Sequence, residues 1–259
     1  MTSLDPEHIK VILLNQILPR CTNPELYLRH GSILASGKII NALCRLAKNN
    51  QRTSADELGS TILYPIRPIT LYSCNRTSGQ ELMETIVRTC GDILEERFWR
   101  SFGGDQMRVA VCHFIEDLSL GPFPLPESVV DRWLHALREC LASADSNVQQ
   151  SAIGAVTSLI GQCFQHESTE KLSVLLQHFL PEVTSNSQQA RVGNALALGS
   201  MPRFLLTVAL GDVVKQLCTC ALITDKTLQW AEARKNALAA LALVCTTVGI
   251  APSSPGNLN

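Results

Sequence analysis

Along this chain an apolar residue followed by a basic or amide residue recurs, each time opening a run of small and aliphatic residues. Leu28-Arg29 leads into HGSILASGKIINALCRLA, Met107-Arg108 into VAVCHFIEDLS, and Val148-Gln149 into QSAIGAVTSLIGQC. Ala190-Arg191 leads into VGNALALGSMP and Ala233-Arg234 into KNALAALALVC. The last four pairs follow one another at 41, 42 and 43 residues, and the first precedes the second by 79, one period plus an insertion. One helical hairpin cannot cover its own apolar face, so units recurring at this spacing must stack on one another.

A period in the low forties, with one helix pair per period, is the pattern of HEAT and armadillo repeats. It predicts an all-α chain, a right-handed α-solenoid of five helical hairpins. Composition agrees: 46% of residues are hydrophobic but only 5% aromatic, a mix that suits helix on helix better than sheet on sheet. The second helices are rich in small residues: Gly31, Ser32, Ala35 and Gly37, then Ala152, Gly154 and Ala155, then Gly193, Ala195, Ala197 and Gly199. Glycine inside a helix costs about 1 kcal/mol against alanine, so this many imply close helix approach.

Stop and start signals place the helices. The first spans Asp5 to Leu18, with Pro6 early in it and Pro19 ending it. Asn23-Pro24 caps a second helix running to Ala47. The polar stretch 48–77, with Pro65 and Pro68, reads as an insertion loop. Ser78 and Glu81 form a capping box for a helix to Arg100. Further helices are expected at 106–119, 127–142, 146–164, 167–180, 187–200, 208–223 and 227–248. One solenoid over 1–250 and a disordered tail over 251–259, rich in Pro, Ser and Gly, complete the organisation. Ile9, Val11, Ile12, Leu13, Leu14, Ile17 and Leu18 make the first helix apolar round much of its circumference. That predicts an exposed apolar patch, as on an internal repeat deprived of its neighbour, and with the abrupt tail it suggests one stretch of a longer solenoid.

Charge narrows the function classes. Net charge is -1, with 22 basic and 23 acidic residues spread along the chain, so no nucleic-acid footprint is legible. Ten cysteines form no C-x-x-C pair and most lie in apolar helical runs, which reads as buried thiols in a reducing, cytoplasmic setting. The longest apolar stretch, 237–245, is too short to span a bilayer, and no signal peptide opens the chain.

Candidate chemistry is sparse. His113, Glu116 and Asp117 stand at i, i+3 and i+4, a spacing that a metal or proton-transfer site needs. The alternative is a solvated face at a repeat junction, and no further ligands have structural-zinc spacing. Cys163 with His166 reads as a helix end, and Cys218 with Cys220 as packing. No phosphate-cradling loop and no G-x-S-x-G occur, and the reading is a binding protein without cofactors rather than an enzyme. Arg29, Arg108, Arg191 and Arg234 open the second helices, either as a ladder that ties repeats together or as the edge of a binding surface. Phe98-Trp99-Arg100-Ser101-Phe102 is either a tight inter-helix closure or a partner hot spot. Trp133 and Trp230 are expected in the core.

Four stretches resemble the C-terminal region of the tubulin-folding cofactor D family. They are Leu28-Arg29-His30-Gly31-Ser32-Ile33-Leu34-Ala35, the run from Met107 to Ser119, Ala197-Leu198-Gly199-Ser200-Met201-Pro202-Arg203-Phe204-Leu205-Leu206, and Ala231-Glu232-Ala233-Arg234. The resemblance covers about residues 5 to 250 in order. It implies a tubulin-specific chaperone that binds β-tubulin, the partner cofactors E and C and a small Arf-like GTPase, and that promotes GTP hydrolysis by tubulin as part of the complex. It further implies a cytoplasmic, microtubule-associated location. Arg29, His30, Arg108, Glu116, Asp117, Arg191, Arg203 and Arg234 are the candidate partner contacts. The alternative is a generic HEAT scaffold, such as a transport adaptor or phosphatase-like scaffold.

Overall fold

The structure is a computed structural model describing residues 5–57, 76–95, 99, 103–121, 123–225 and 227–249, with backbone alone at 50–57 and 76–79. Among the described residues every regular element is helical, and the chain adopts an all-α helical-repeat fold. It divides into two compact units, Met1–Ala136 and Leu137–Asn259.

Unit 1 opens with α1 (Pro6–Ile12), capped by Asp5, whose carboxylate accepts from the His8 amide. The regular ladder ends there. Leu13–Ile17 form a π turn and Leu18–Thr22 a 3-10 turn, because Pro19 has no N–H to continue the i to i−4 pattern. The first helix is therefore shorter than expected. Leu13 and Leu18 are buried while Val11 is 53% exposed, so the expected apolar surface is there in part.

Helix α2 (Leu26–Glu57) runs ten residues past its expected end. Residues 48–57 are helical, not loop: they hold neither Gly nor Pro, and polar side chains alone do not end a helix. Residues 58–75, the rest of the expected insertion loop, lie outside the described residues, as does the tail 251–259. Helix α3 (Arg76–Asp92) starts two residues before Ser78, which is thus inside it and no cap. Helix α4 (Gly104–Leu120) follows Gly103 at φ 105°, a left-handed conformation that favours glycine.

Helix α2 stacks on α4 through glycines. A Cβ on Gly37 would lie 3.2 Å from Phe114 Cα, and one on Gly121 2.7 Å from Asn41 Cα. Helix α5 (Glu127–Leu141) carries the division, its residues to Ala136 belonging to unit 1 and the rest to unit 2. Trp133 is fully buried edge-on to Phe114, ring centroids 6.1 Å apart. Its Nε1–H donates to the Cys90 carbonyl at 3.1 Å, and Arg132 Nη2 donates to the Gly91 carbonyl at 3.0 Å. The Cys90 carbonyl near the C-terminal end of α3 thereby finds a donor, and the Gly91 carbonyl gains a second one beside the Leu94 amide.

Unit 2 holds α6 (Ser146–Cys163), α7 (Thr169–Gln177) and α8 (Gln188–Ser200), capped by Asp145, Ser168 and Ser187. The short α9 (Arg203–Leu206) and a 3-10 turn lead into α10 (Leu210–Ala221), followed by α11 (Ala231–Val248). Helix α8 packs on both α6 and α11. A Cβ on Gly193 would fall 1.9 Å from the Leu141 carbonyl oxygen, and one on Gly199 2.9 Å from Ala240 Cα. Trp230 precedes α11 and is half-buried, not the core residue expected. The stretch Arg203–Ala221 is long and apolar enough to cross a membrane on length and composition. It is broken by the 3-10 turn, and its Val213, Leu217 and Cys220 are buried.

Candidate protein-binding surfaces

The residue that recurs at the head of the second helices clips the turn before it. Arg29 is 1% exposed, and its Nη1 donates to the Asn23 and Pro24 carbonyls at 2.6 and 3.2 Å. Arg191 donates from Nε to the Ser185 carbonyl at 2.6 Å and from Nη2 to the Thr184 carbonyl at 3.0 Å. Arg234 Nη1 donates to the Thr227 carbonyl and, at 3.3 Å, to that of Leu228. Gln149, at the same repeat position, donates from Nε2 to the Leu141 carbonyl at 2.8 Å.

Two of the clips also reach the next repeat, at or just before its second helix. Gln149 Nε2 touches the Gln189 carbonyl at 3.0 Å, and the Arg191 guanidinium sits 5.1 Å over the Trp230 ring. The ladder is a joint within and between repeats. Arg108 departs from it: its Nη1 lies 3.5 Å from Asp105 Oδ1 on its own helix.

Because the Arg191 clip needs a planar fork and a stacking face, lysine is a poor replacement. Arg191→Lys is expected to cost about 1–2 kcal/mol, read as a lower urea midpoint at unchanged slope. Trp230 emission should shift with it as the cation leaves the ring.

The His113, Glu116 and Asp117 trio is split. His113 Nδ1 lies 3.5 Å from Glu116 Oε2 on the open side of α4. Asp117 is buried against α2, where Oδ1 accepts from Lys38 Nζ at 2.9 Å and Asn41 Nδ2 at 3.2 Å. Its Oδ2 accepts nothing among the described residues and faces Gly37. Among the described residues no three His, Cys, Asp or Glu side chains converge as metal ligands.

Two candidate contacts are therefore corrected. Arg29 and Asp117 are buried and occupied by joints of unit 1, so neither is offered to a partner. His30, Arg108, Glu116, Arg191 and Arg234 are half-buried, and Arg203 is exposed at the start of α9. Most described cysteines are buried or half-buried. Burial pushes the Cys21 and Cys163 thiols up to about 11 and Cys44 to about 12, so at neutral pH they are protonated packing groups. Trp99 is buried; Phe98, Arg100, Ser101 and Phe102 lie outside the described residues.

Several large apolar side chains also lie open, and sequence reasoning missed most of them. In unit 1, Tyr27 is 77% and Leu28 42% exposed, beside Gly31, over which a Cβ would meet nothing within 4 Å. In unit 2, Leu222, Ile223 and Leu228 project from the turn between α10 and α11. That turn is held by Thr227, whose Oγ1 lies 2.8 Å from Thr224 Oγ1 and 3.3 Å from the Leu222 carbonyl. Helix α11 leaves Leu238, Ala239, Ala242 and Leu243 uncovered. The available signal was Leu222-Ile223, two aliphatics placed where a turn would be polar.

No family model matches the chain. Among solved structures, the crystal structure of an engineered protein aligns over 90% of this chain and 97% of its own, at 12% identity and a TM-score of 0.35. That likeness is too distant to support a function.

Proposed function

We propose that this chain is a protein-binding module of the tubulin-folding cofactor D type. It binds β-tubulin and the partner cofactors E and C through its helical surfaces, without covalent chemistry of its own. The small Arf-like GTPase and the stimulation of GTP hydrolysis by tubulin belong to the same proposal, as does a cytoplasmic, microtubule-associated location. The observation that carries it is the pair of motifs Arg29-His30-Gly31-Ser32-Ile33-Leu34-Ala35 and Ala197–Leu206, set in order on helical repeats. Leu28 and Gly31 in the first stretch and Arg203 in the second are open to a partner, while their neighbours Arg29 and Gly199 serve the joints. Tyr27 beside Leu28 supplies the aromatic anchor that protein interfaces favour.

The test is retention on the immobilised chain from a cytosolic extract and from purified tubulin. β-Tubulin is expected to be retained, and Tyr27→Ala or Arg203→Glu to lower retention several-fold without lowering the melting temperature. A folded chain that retains neither β-tubulin, the cofactors nor the GTPase rejects the proposal and leaves the generic HEAT scaffold.

A further inference from the structure

The exposed faces of α11 and α2 match, register for register, the two halves of the joint that stacks α8 on α11. We propose that a second copy of this chain docks there, the outer face of α11 in one copy seating on the N-terminal half of α2 in the next. This goes beyond the partner reading above and does not depend on it.

The clips set the register. Arg29, Arg191 and Arg234 occupy one structural position, each bonded to the carbonyls of the turn before its helix. In the α8–α11 joint, Ala195 and Gly199 of α8 are buried, and Gly199 abuts Ala240. On the other side Ala233, Ala237 and Ala240 of α11 are buried.

Carried from Arg191 to Arg234, the α8 half becomes Leu238 and Ala242. Both are exposed, Leu238 by 57%. Carried from Arg234 back to Arg29, the α11 half becomes Leu28, Ser32 and Ala35. Leu28 is exposed and the other two are half-exposed. Each half of a stacking joint is thus present, small or aliphatic, and uncovered. The α11 face continues the interface that already runs from α6 through α8 to α11.

Charge gives the contact its direction. Within unit 2 the Arg191 guanidinium stacks on Trp230. At the joint between copies, Arg234 takes the place of Arg191, and the residue in the place of Trp230 is Glu25, which is exposed. A cation over an aromatic ring becomes a cation facing a carboxylate, which steers this pairing and fixes its register. The two faces differ, so the contact is heterologous: an assembly of any length still offers one free α2 face at one end and one free α11 face at the other.

Sedimentation velocity of the full chain, from micromolar to near-millimolar concentration, tests this with two face variants. Leu238→Asp blocks the α11 face and Leu28→Asp the α2 face; both sites are exposed, and unchanged circular dichroism checks that folding is intact. Wild type is expected to associate as concentration rises, and each variant alone to stay monomeric. Mixed in equal amounts, the variants should form a discrete 1:1 dimer, because one intact face of each kind remains. Glu25→Arg should weaken wild-type association several-fold, and added salt should weaken it too. A wild type that stays monomeric overturns the proposal. So does a mixture that fails to pair. Association lost in Leu238→Asp but kept in Leu28→Asp overturns it in favour of α11 pairing with itself.

Discussion

Replacing Gly193 by alanine is expected to remove about 3 kcal/mol or more of stability, far beyond what one methyl group usually does. The added Cβ would fall 1.9 Å from the Leu141 carbonyl oxygen and 2.8 Å from Gln149 Nε2. The carbonyl is backbone, and it is the acceptor of the Gln149 clip at 2.8 Å. The helices cannot part by the ångström or more needed without breaking that bond and its partner to Gln189. Urea unfolding should show a lower midpoint at unchanged slope. Gly211→Ala is the control, because nothing lies within 4 Å of a Cβ built there. It should gain about 0.5–1 kcal/mol from the lost flexibility of glycine in the unfolded chain. If the two alanines behave alike, close approach is not what holds α8 in place.

Trp133→Ala is expected to cost about 3–5 kcal/mol, the range for emptying a large aromatic site. Trp133 fills the space between α5, the end of α3 and Phe114. Removing it also leaves the Cys90 carbonyl buried without its donor, a further cost of about 1–3 kcal/mol where no water can enter. Trp133→Phe separates the two effects, since it keeps most of the packing and loses the N–H. It should give up about 1–2 kcal/mol. Hydrogen exchange would locate the loss: amides of α3 and α5 should lose protection first. Uniform loss across both units would contradict this local role.

The second helices were legible because stacking imposes a period on the chain. Leu28, Met107, Val148, Ala190 and Ala233 each fall in the first turns of α2, α4, α6, α8 and α11. Helix ends were harder. Lys48 to Glu57 is polar and reads as loop, yet polarity is no stop signal where Gly and Pro are absent. Ser78 with Glu81 fits a capping box, but α3 begins at Arg76, ahead of that signal. The π and 3-10 turns after α1 follow from Pro19 meeting a helix that continues to pack through Leu13 and Leu18.

The candidate site was less legible than the fold. An arginine at a fixed repeat position looks the same in sequence whether it clips a turn or faces a partner. Only geometry separates Arg29, buried on the Asn23 and Pro24 carbonyls, from Arg108, half-buried beside Asp105 of its own helix. Asp117 likewise shares the spacing of His113 and Glu116 but points across the helix into the α2 joint. The open aliphatics of the α10–α11 turn were hidden because Leu222 and Ile223 continue the apolar run of α10.

The clips also bear on how fast the chain finds its fold. Arg29, Arg191 and Arg234 close on carbonyls five to seven residues earlier in sequence, and Gln149 on one eight residues earlier. Each hairpin can therefore lock its own corner before any neighbour has arrived, at little loop-closure cost. Contacts this local favour rapid folding from several starting points along the chain, as in other repeat arrays. A slow phase, where one is seen, belongs to the docking of one locked hairpin on the next through glycines such as Gly37 and Gly193.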